Sequence, residues 1–349
     1  MKTVKDFVFK GKRVLVRCDF NVPVAKNRAI LDDFKIRRSL PTIKYLLSKK
    51  ARIVLMSHLG DPKGKVVAKL SLAKVSGKLE KFLRTRVFLI KSYEKKQIIK
   101  APADSVILLE NLRFCSEEER GGLGFAKKLA RLGDIFLNDA FACSHRNHAS
   151  FKVAKYLACG AGLLLEKEIK VLGKFLHNSR RPLVIILGGQ AKGIETKIKL
   201  LKSISQKADF ILLGNLVAEE LERKGFKPKF SEKMVFPADS NQGLDIGPKT
   251  IKMFKEKIFK AKTVFWSGPL GKIEEKQFSF GSKEIAQSII KSRAFSIVGG
   301  GETTWFLRKQ GLAEKFNHLS TGGDALLMFL SGEKLPAIEI LNHGRDKKS

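Results

Sequence analysis

Short, unbroken apolar runs recur along this chain, separated by stretches of helical period, and that alternation constrains the fold more than any other feature. The runs are Val14–Val16, Ile53–Met56, Val106–Leu109, Ile135–Leu137, Leu183–Leu187, Phe210–Leu213, Val235–Phe236, Val264–Trp266 and Phe295–Val298. None alternates polar with apolar, so each suits a strand buried on both faces, as in a parallel sheet. Between them Ile36, Leu40, Ile43, Leu46 and Leu47 form one helical stripe, and Phe125, Leu129 and Leu132 before Gly133 form another. A third helix opens at Gly247-Pro248, with proline at the favoured first position, and continues through Ile251, Phe254 and Ile258. The pattern predicts an α/β protein of doubly wound, Rossmann-like parallel sheets.

A chain of 349 residues suits two such domains, and a hydrophobic content of 44% with 25 Phe is enough to fill both cores. No apolar stretch is long enough to span a bilayer, and Met1-Lys-Thr-Val-Lys-Asp6 leads into no signal-peptide core. The expectation is a soluble, cytoplasmic monomer without a membrane partner. Cys18, Cys115, Cys143 and Cys159 follow no disulfide or CxxC spacing, which agrees with a reducing compartment. Cys143, His145 and His148 stand as C-x-H-x-x-H, but no second ligand group matches them, so the cluster reads as a strand-end loop in preference to zinc. The formal charge of +34 favours anionic ligands. Its basic residues are spread along the whole length and form no nucleic-acid-binding motif, so nucleic acid is expected to bind non-specifically.

Polar and glycine-rich residues follow the runs, at the carboxyl ends of strands where open α/β sheets bind ligands. Up to about Tyr156 these are Asp, Asn, His and Arg, a set suited to a small hydroxylated anion. From about Arg181 they are mostly glycines with Lys and Glu, a set suited to nucleotide phosphates and metal. The clearest case is Phe295-Ser-Ile-Val-Gly-Gly-Gly-Glu-Thr-Thr304, which reads as strand, tight loop and helix start. Its glycines allow close backbone approach and the helix amides favour phosphate, while Glu302 would hold a cation accompanying that phosphate. Leu163 to Leu176 reads as one helix ending before Arg181-Pro182 and is the candidate hinge. The expected organisation is a first domain over 1–160, a connecting helix over 161–180, a second domain over 181–334, and a tail over 335–349 returning to the first domain.

The motifs run, in order, Arg17-Cys-Asp-Phe-Asn-Val-Pro23, Leu40-Pro-Thr-Ile43, Ser57-His-Leu-Gly60 with Pro62-Lys-Gly-Lys65, Leu109-Glu-Asn-Leu-Arg-Phe114, and Asn138-Asp-Ala-Phe141 with His145-Arg-Asn-His148. The second half continues with Asp245-Ile-Gly-Pro-Lys-Thr250, Trp266-Ser-Gly-Pro-Leu-Gly271, Val298-Gly-Gly-Gly-Glu-Thr303 and Ser320-Thr-Gly-Gly323. In this succession the chain resembles the phosphoglycerate kinase family over nearly its whole length. The resemblance implies reversible phosphoryl transfer between 1,3-bisphosphoglycerate and ADP, giving 3-phosphoglycerate and ATP in glycolysis and gluconeogenesis. It also implies Mg2+ bound with ATP or ADP, and two domains closing about a connecting helix. By resemblance Asp19, Phe20 and Asn21 would bind the substrate's hydroxyl and carboxylate end, and His58, Arg113 and Arg146 its phosphate. Lys197, Gly214, Ser267, Glu274, Gly300, Gly301, Glu302 and Thr303 would bind the nucleotide, with Glu302 the metal ligand. Ser320, Thr321, Gly322 and Gly323 would face the phosphoryl group in flight, with Lys35 and Lys192 as catalytic cations.

The chain departs from the family pattern near that group. Lys35 stands where the family has an arginine, keeping the charge and losing the fork. Arg37, two residues on, points to another helix face unless the backbone shifts. Asp61 replaces a substrate-side arginine, Ser267 an asparagine, Asp324 a glycine and Glu302 an aspartate. Gly188-Gly-Gln-Ala-Lys-Gly-Ile-Glu-Thr-Lys197 carries two residues more than the family's lysine loop. Two readings follow: a working phosphoglycerate kinase, or a weakened or inactive member acting as a nucleotide- or nucleic-acid-binding module.

Overall fold

The computed structural model describes residues 1–102, 105–190, 193–226 and 231–342. The chain divides into two compact units, Met1–Ile169 with the C-terminal stretch from Lys334, and Lys170–Glu333. In the first unit β1 (Arg13–Cys18), β2 (Arg52–Met56), β3 (Val87–Ile90), β4 (Val106–Leu109), β5 (Ile135–Asp139) and β6 (Ala158–Ala161) form one sheet in the order β3-β4-β2-β1-β5-β6. Every pairing in it is parallel. The second unit holds β7 (Leu183–Leu187), β8 (Phe210–Leu213), β9 (Met234–Val235), β12 (Thr263–Ser267), β13 (Phe295–Gly299) and β14 (His318–Leu319) in the order β14-β13-β12-β7-β8-β9, again all parallel. A two-stranded hairpin, β10 (Ser240–Asn241) and β11 (Asp245–Ile246), stands apart from both sheets.

Both sheets are buried because their strands are apolar on both faces. Val14, Val16, Ile53, Leu55, Val106, Leu108 and Leu137 belong to the first core, onto which the helix Phe34–Ser48 adds Ile36, Ile43 and Leu46. In the second unit Phe265 and Trp266 are fully buried, and the helix Pro248–Lys260 buries Ile251, Phe254 and Ile258 on one stripe. Truncating a side chain such as Phe254 to alanine removes about 3–5 kcal/mol of stability.

Parallel register brings the ligand-bearing loops together. Arg17 pairs with Met56 on one side of β1 and with Asn138 on the other, so the segments that leave β1, β2 and β5 emerge side by side. In the second unit Ser267 pairs with Leu187 and with Gly299, which aligns the loops after β7, β12 and β13. The helix Leu163–Asn178 begins in the first unit, where Asp139 Oδ1 accepts the amides of Leu164 at 2.9 Å and Leu165 at 3.4 Å, and Thr42 Oγ1 accepts that of Leu163 at 3.0 Å. The division between the units falls inside this helix. At the C-terminus Ala337 donates to Ser144 O at 3.1 Å and its carbonyl accepts from Asn138 Nδ2 at 3.1 Å, which ties the helix Pro336–Asn342 to the first unit. Among the described residues no helix is long and apolar enough to cross a membrane.

Candidate functional site

In the first unit the loop after β1 carries Asp19, Phe20 and Asn21. Asp19 is buried, its Oδ2 accepts from Lys35 Nζ at 2.7 Å and its Oδ1 from the Asn21 amide at 2.9 Å. Burial opposes its charge, but Lys35, with His58 and the Asn21 amide, holds the carboxyl well below the usual range. Lys35 reaches it from the first turn of the helix Phe34–Ser48. Phe20 is fully buried and its amide donates to Ser57 Oγ at 2.8 Å, locking β1's loop to β2's.

Gly60 joins two more of the expected residues. Asn21 Oδ1 accepts its amide at 2.8 Å, and Arg113 Nη1 donates to its carbonyl at 2.8 Å. Arg113 Nε lies 3.1 Å from Glu119 Oε1 without hydrogen-bond alignment. Arg146 is exposed, and among the described residues it has no ion-pair partner. Burial holds the His58 imidazole neutral, helped by the charges of Arg17, Arg113 and Lys35 and opposed by Asp19. Arg17 Nη2 lies 3.3 Å from its Nδ1, which assigns the ring proton to Nε2. The cluster therefore sets Lys35, Arg113 and Arg146 against the carboxylates of Asp19 and Glu119 and one neutral imidazole, a composition that leaves net positive charge for an anion bearing a hydroxyl.

Behind it lies a network that joins Arg17 and His148, both in motifs, to Glu118 and Ser150, which no motif marks. Arg17, fully buried, donates from Nε to Ser150 Oγ at 3.0 Å and from Nη1 to the Cys18 carbonyl, and its ring-facing side covers Phe151. Glu118, also fully buried, lies 3.9 Å from Arg17 Nη2 and accepts from the Ser150 hydroxyl at 2.6 Å and amide at 2.9 Å. His148 Nδ1 sits 3.8 Å from the same carboxylate, and burial together with Arg17 and Arg113 pushes its pKa down to about 3. The donor atoms of Asp19, His58 and Cys143 fall within 4.8 Å of one another. With Lys35 already on Asp19, Arg17 on His58, and the Cys143 thiol kept protonated, its pKa pushed up to about 12 by burial and Asp19, this trio is poorly disposed to hold a cation.

Two departures from the family pattern are legible in the fold. Arg37 donates to Asp33 at 2.7 and 3.2 Å and lies over the Phe82 ring, so it is engaged away from Asp19. Asp61 is exposed.

The second unit presents a pocket of about 230 Å3 at the carboxyl ends of β7, β8 and β12. Gly214, Glu274 and Glu302 line it, as do Leu216, Leu244 and Leu270, which give it an apolar wall. Of these three leucines only Leu270 lies in a motif; the other two come from a helix start and the β10–β11 turn, where nothing in the sequence marks them. Asp245 buttresses the wall: its carboxylate accepts the amides of Gly281 at 2.8 Å and Ile246 at 2.9 Å, and burial pushes it up to about 6 against those hydrogen bonds. Close approach of the strand-end loops requires glycine at Gly268, whose φ is +89° and where a Cβ would collide with Gly188.

Gly300, with φ of +87°, caps the helix Gly301–Lys309. Ser267 Oγ, Thr303 Oγ1 and the Gly268 amide all lie within 3.6 Å of the point where a Gly300 side chain would begin. Thr303 Oγ1 is buried and, among the described residues, has no hydrogen-bond partner. Lys197 is buried and donates to Gln190 O at 2.8 Å; burial lowers it to about 8 against the pull of Glu302. Glu302 is raised by burial and Glu274, again against Lys197. The orphaned Thr303 hydroxyl and, on the adjoining residue, the exposed Glu302 carboxylate that lines the pocket are oxygen donors of the kind a hard cation such as Mg2+ takes. Lys192 lies outside the described residues. Ser320 is held at the end of β14 by its amide bond to Val298 O at 2.8 Å, and its Oγ accepts the Gly322 amide at 3.1 Å. Gly300 donates to Gly322 O at 3.5 Å, so the Ser320–Gly323 turn adjoins the Gly300–Thr303 loop, and Gly323 precedes the helix Asp324–Leu330.

A sequence model of the family described as phosphoglycerate kinase matches residues 4–224 and 216–333. Among curated proteins, the phosphoglycerate kinase of Dictyoglomus turgidum is 40% identical over 97% of this chain and 97% of its own length. That of Finegoldia magna is 39% identical over 98% of this chain and 99% of its own. Among solved structures, phosphoglycerate kinase from Coxiella burnetii superposes with a TM-score of 0.82 at 35% identity, covering 99% of this chain and all of that one. The enzyme from Pyrococcus horikoshii gives 0.87 at 28% identity, with 98% of each chain covered. Two all-parallel sheets with a cationic cluster at the strand ends of one and a glycine-lined pocket at those of the other are thus matched along their full length, and the chain belongs to the phosphoglycerate kinase family.

Proposed function

We propose that this chain catalyses reversible phosphoryl transfer between 1,3-bisphosphoglycerate and ADP, yielding 3-phosphoglycerate and ATP. The observation that carries the reading is the split of chemistry between the units: cations around Asp19 in one, and glycine amides with Lys197 and Glu302 in the other. In-line transfer needs positioning and neutralisation of charge rather than a covalent nucleophile, and both pockets supply those. In the first unit Asp19 and Asn21 orient the hydroxyl and carboxylate of phosphoglycerate, while Arg113, Arg146 and His58 Nε2 hold its phosphate. Lys35, kept protonated by Asp19, supplies positive charge beside the reacting carboxylate. In the second unit Lys197 and the Gly300–Gly301 backbone take the nucleotide phosphates, Glu274 the ribose, and Leu216, Leu244 and Leu270 the base. Ser320 to Gly323 add amides near the transferred group, and Lys192, in the stretch Gly188 to Lys197 of the sequence, is the second catalytic cation of this reading. Glu302 with Thr303 would hold Mg2+, which when bound neutralises phosphate charge.

Lys35, Asp61, the enlarged lysine loop and the formal charge of +34 motivate the second reading, a binding module without transfer. Lys35 speaks against it, since the ion pair with Asp19 keeps a cation where the chemistry needs one, and Asp61 is exposed. A coupled assay with ATP, Mg2+ and 3-phosphoglycerate tests the assignment. Arg113→Ala with Arg146→Ala raises the KM for phosphoglycerate tenfold or more; unchanged kinetics would remove both arginines from the phosphate site.

A further inference from the structure

The second unit carries another cavity, at the opposite end of its sheet. It has a volume of about 470 Å3 and lies against Thr263 and Phe295, the first residues of β12 and β13. The nucleotide pocket lies beyond the last residues of β7 and β12, so strands of five residues, on the order of 15 Å of sheet, separate the two. Lys174, Arg180, Lys262 and Arg293 line this second cavity with the rings of Phe259 and Phe295, and no carboxylate lines it among the described residues. The four cations are exposed, and none forms an ion pair among the described residues. Phe259 and Phe295 are 53% and 39% exposed, open faces for an apolar or planar group.

A structural reason for part of this charge is at hand. The helices ending at Asn178, Lys260 and Ser292 direct their C-termini here. Each brings roughly half a negative charge, about −1.5 in all, and basic residues at such ends are stabilising. Four cations exceed that by more than two charges, and helix capping does not account for two exposed phenyl rings between them. The volume lies within the range of small-molecule sites, and cations interleaved with aromatic faces are the means by which phosphate and base are bound together.

We propose that this cavity is a second ligand site, taking a phosphorylated molecule with a planar aromatic body: a nucleoside phosphate, either free or as one unit of a single strand. The phosphate pairs with Arg180 and Arg293, and the ring lies on Phe295 and Phe259. The site is independent of phosphoryl transfer, which the strand ends opposite perform.

Two probes test it on the full chain, ADP by isothermal titration and fluorescent octauridylate by anisotropy at physiological salt. At least one probe binds at a site weakened tenfold or more, about 1.4 kcal/mol, by Arg180→Glu with Arg293→Glu and again by Phe295→Ala. The same variants keep kcat for phosphoryl transfer within twofold, which shows that they fold. Lys252→Glu with Lys283→Glu, an equal change of charge on exposed residues elsewhere in the unit, leaves that binding in place. Loss confined to ADP assigns free nucleotide; loss confined to octauridylate assigns the strand. Binding of both probes unaffected by the cavity variants, equal loss in the Lys252/Lys283 control, or displacement by tripolyphosphate as effective as by ADP would overturn the proposal.

Discussion

Replacing Lys35 by methionine removes the one cation that, among the described residues, is hydrogen-bonded to Asp19, and leaves that carboxylate buried. The pair is short, 2.7 Å, with Asp19's side chain 5% exposed and Lys35's 30%. Breaking a fully buried pair destabilises by about 3–5 kcal/mol, and the partial exposure of Lys35 reduces this to roughly 2 kcal/mol. Asp19→Asn costs less, about 1 kcal/mol, because a half-exposed lysine can turn to water. The double substitution then falls short of the sum by roughly 1 kcal/mol, since the second change has no partner left to strand. Urea denaturation, followed by a probe in the first unit, reads all four corners of the cycle. In the coupled assay Lys35→Met lowers kcat by about 10²–10³, the scale for losing one donor aimed at developing charge, whereas Lys35→Arg keeps kcat within about tenfold of the parent. Arg37 gives no rescue because Asp33 and Phe82 already engage it. Additive stabilities in the cycle, together with unchanged kcat in Lys35→Met, would refute both the ion pair and its part in transfer.

Asp139 makes stability depend on pH in a definite direction. Burial lifts its pKa from 3.8 to about 7 despite the Thr42, Leu164 and Leu165 hydrogen bonds, so between those values the folded state holds a proton that the unfolded chain has lost. Its contribution is complete below about pH 4 and is lost as pH rises to 7, an effect of up to roughly 4 kcal/mol. Asp139→Asn removes that slope from a denaturation series, which His58 and His148 oppose by losing stability as pH falls below 6.5; an unchanged slope would place the carboxyl in water. Lys197 titrates near 8 in the free protein, so ADP affinity is full below that pH and declines as pH rises through it, and Lys197→Met flattens the profile in calorimetry. Gly300→Ala forces a side chain into φ of +87° beside Ser267 and Thr303, destabilises by about 1–2 kcal/mol, and weakens ADP binding more than phosphoglycerate binding. Equal weakening of both ligands would place Gly300 outside the nucleotide loop.

The strands that the sequence reveals are those buried on both faces. Leu183–Leu187 and Phe210–Leu213 match their apolar runs residue for residue, whereas Ile135–Leu137 lengthens to Asp139 because polar Asn138 and Asp139 are themselves buried at the strand end. β3, β6 and β14 are not legible, for separate reasons. Val87–Ile90 is half-exposed, Ala158–Ala161 has the composition of a loop, and His318–Leu319 is two residues long. The loops after the strands are readable because a parallel sheet concentrates polar residues there. What supports them is not, since Arg17 meets Glu118 and Ser150 across more than a hundred residues. The C-x-H-x-x-H spacing likewise says nothing of the sorting that places Cys143 beside Asp19 and His58, and His148 beside Glu118.

The central claim is transfer of a phosphoryl group to a carboxylate, and its product can be trapped. The purified chain, incubated with ATP, Mg2+, 3-phosphoglycerate and hydroxylamine, is expected to form the hydroxamate of 3-phosphoglycerate, with release of the acyl phosphate as inorganic phosphate, in step with ADP, and both products disappear when phosphoglycerate or Mg2+ is left out. Release of ADP without hydroxamate, or no turnover of either at saturating substrates, would contradict the account.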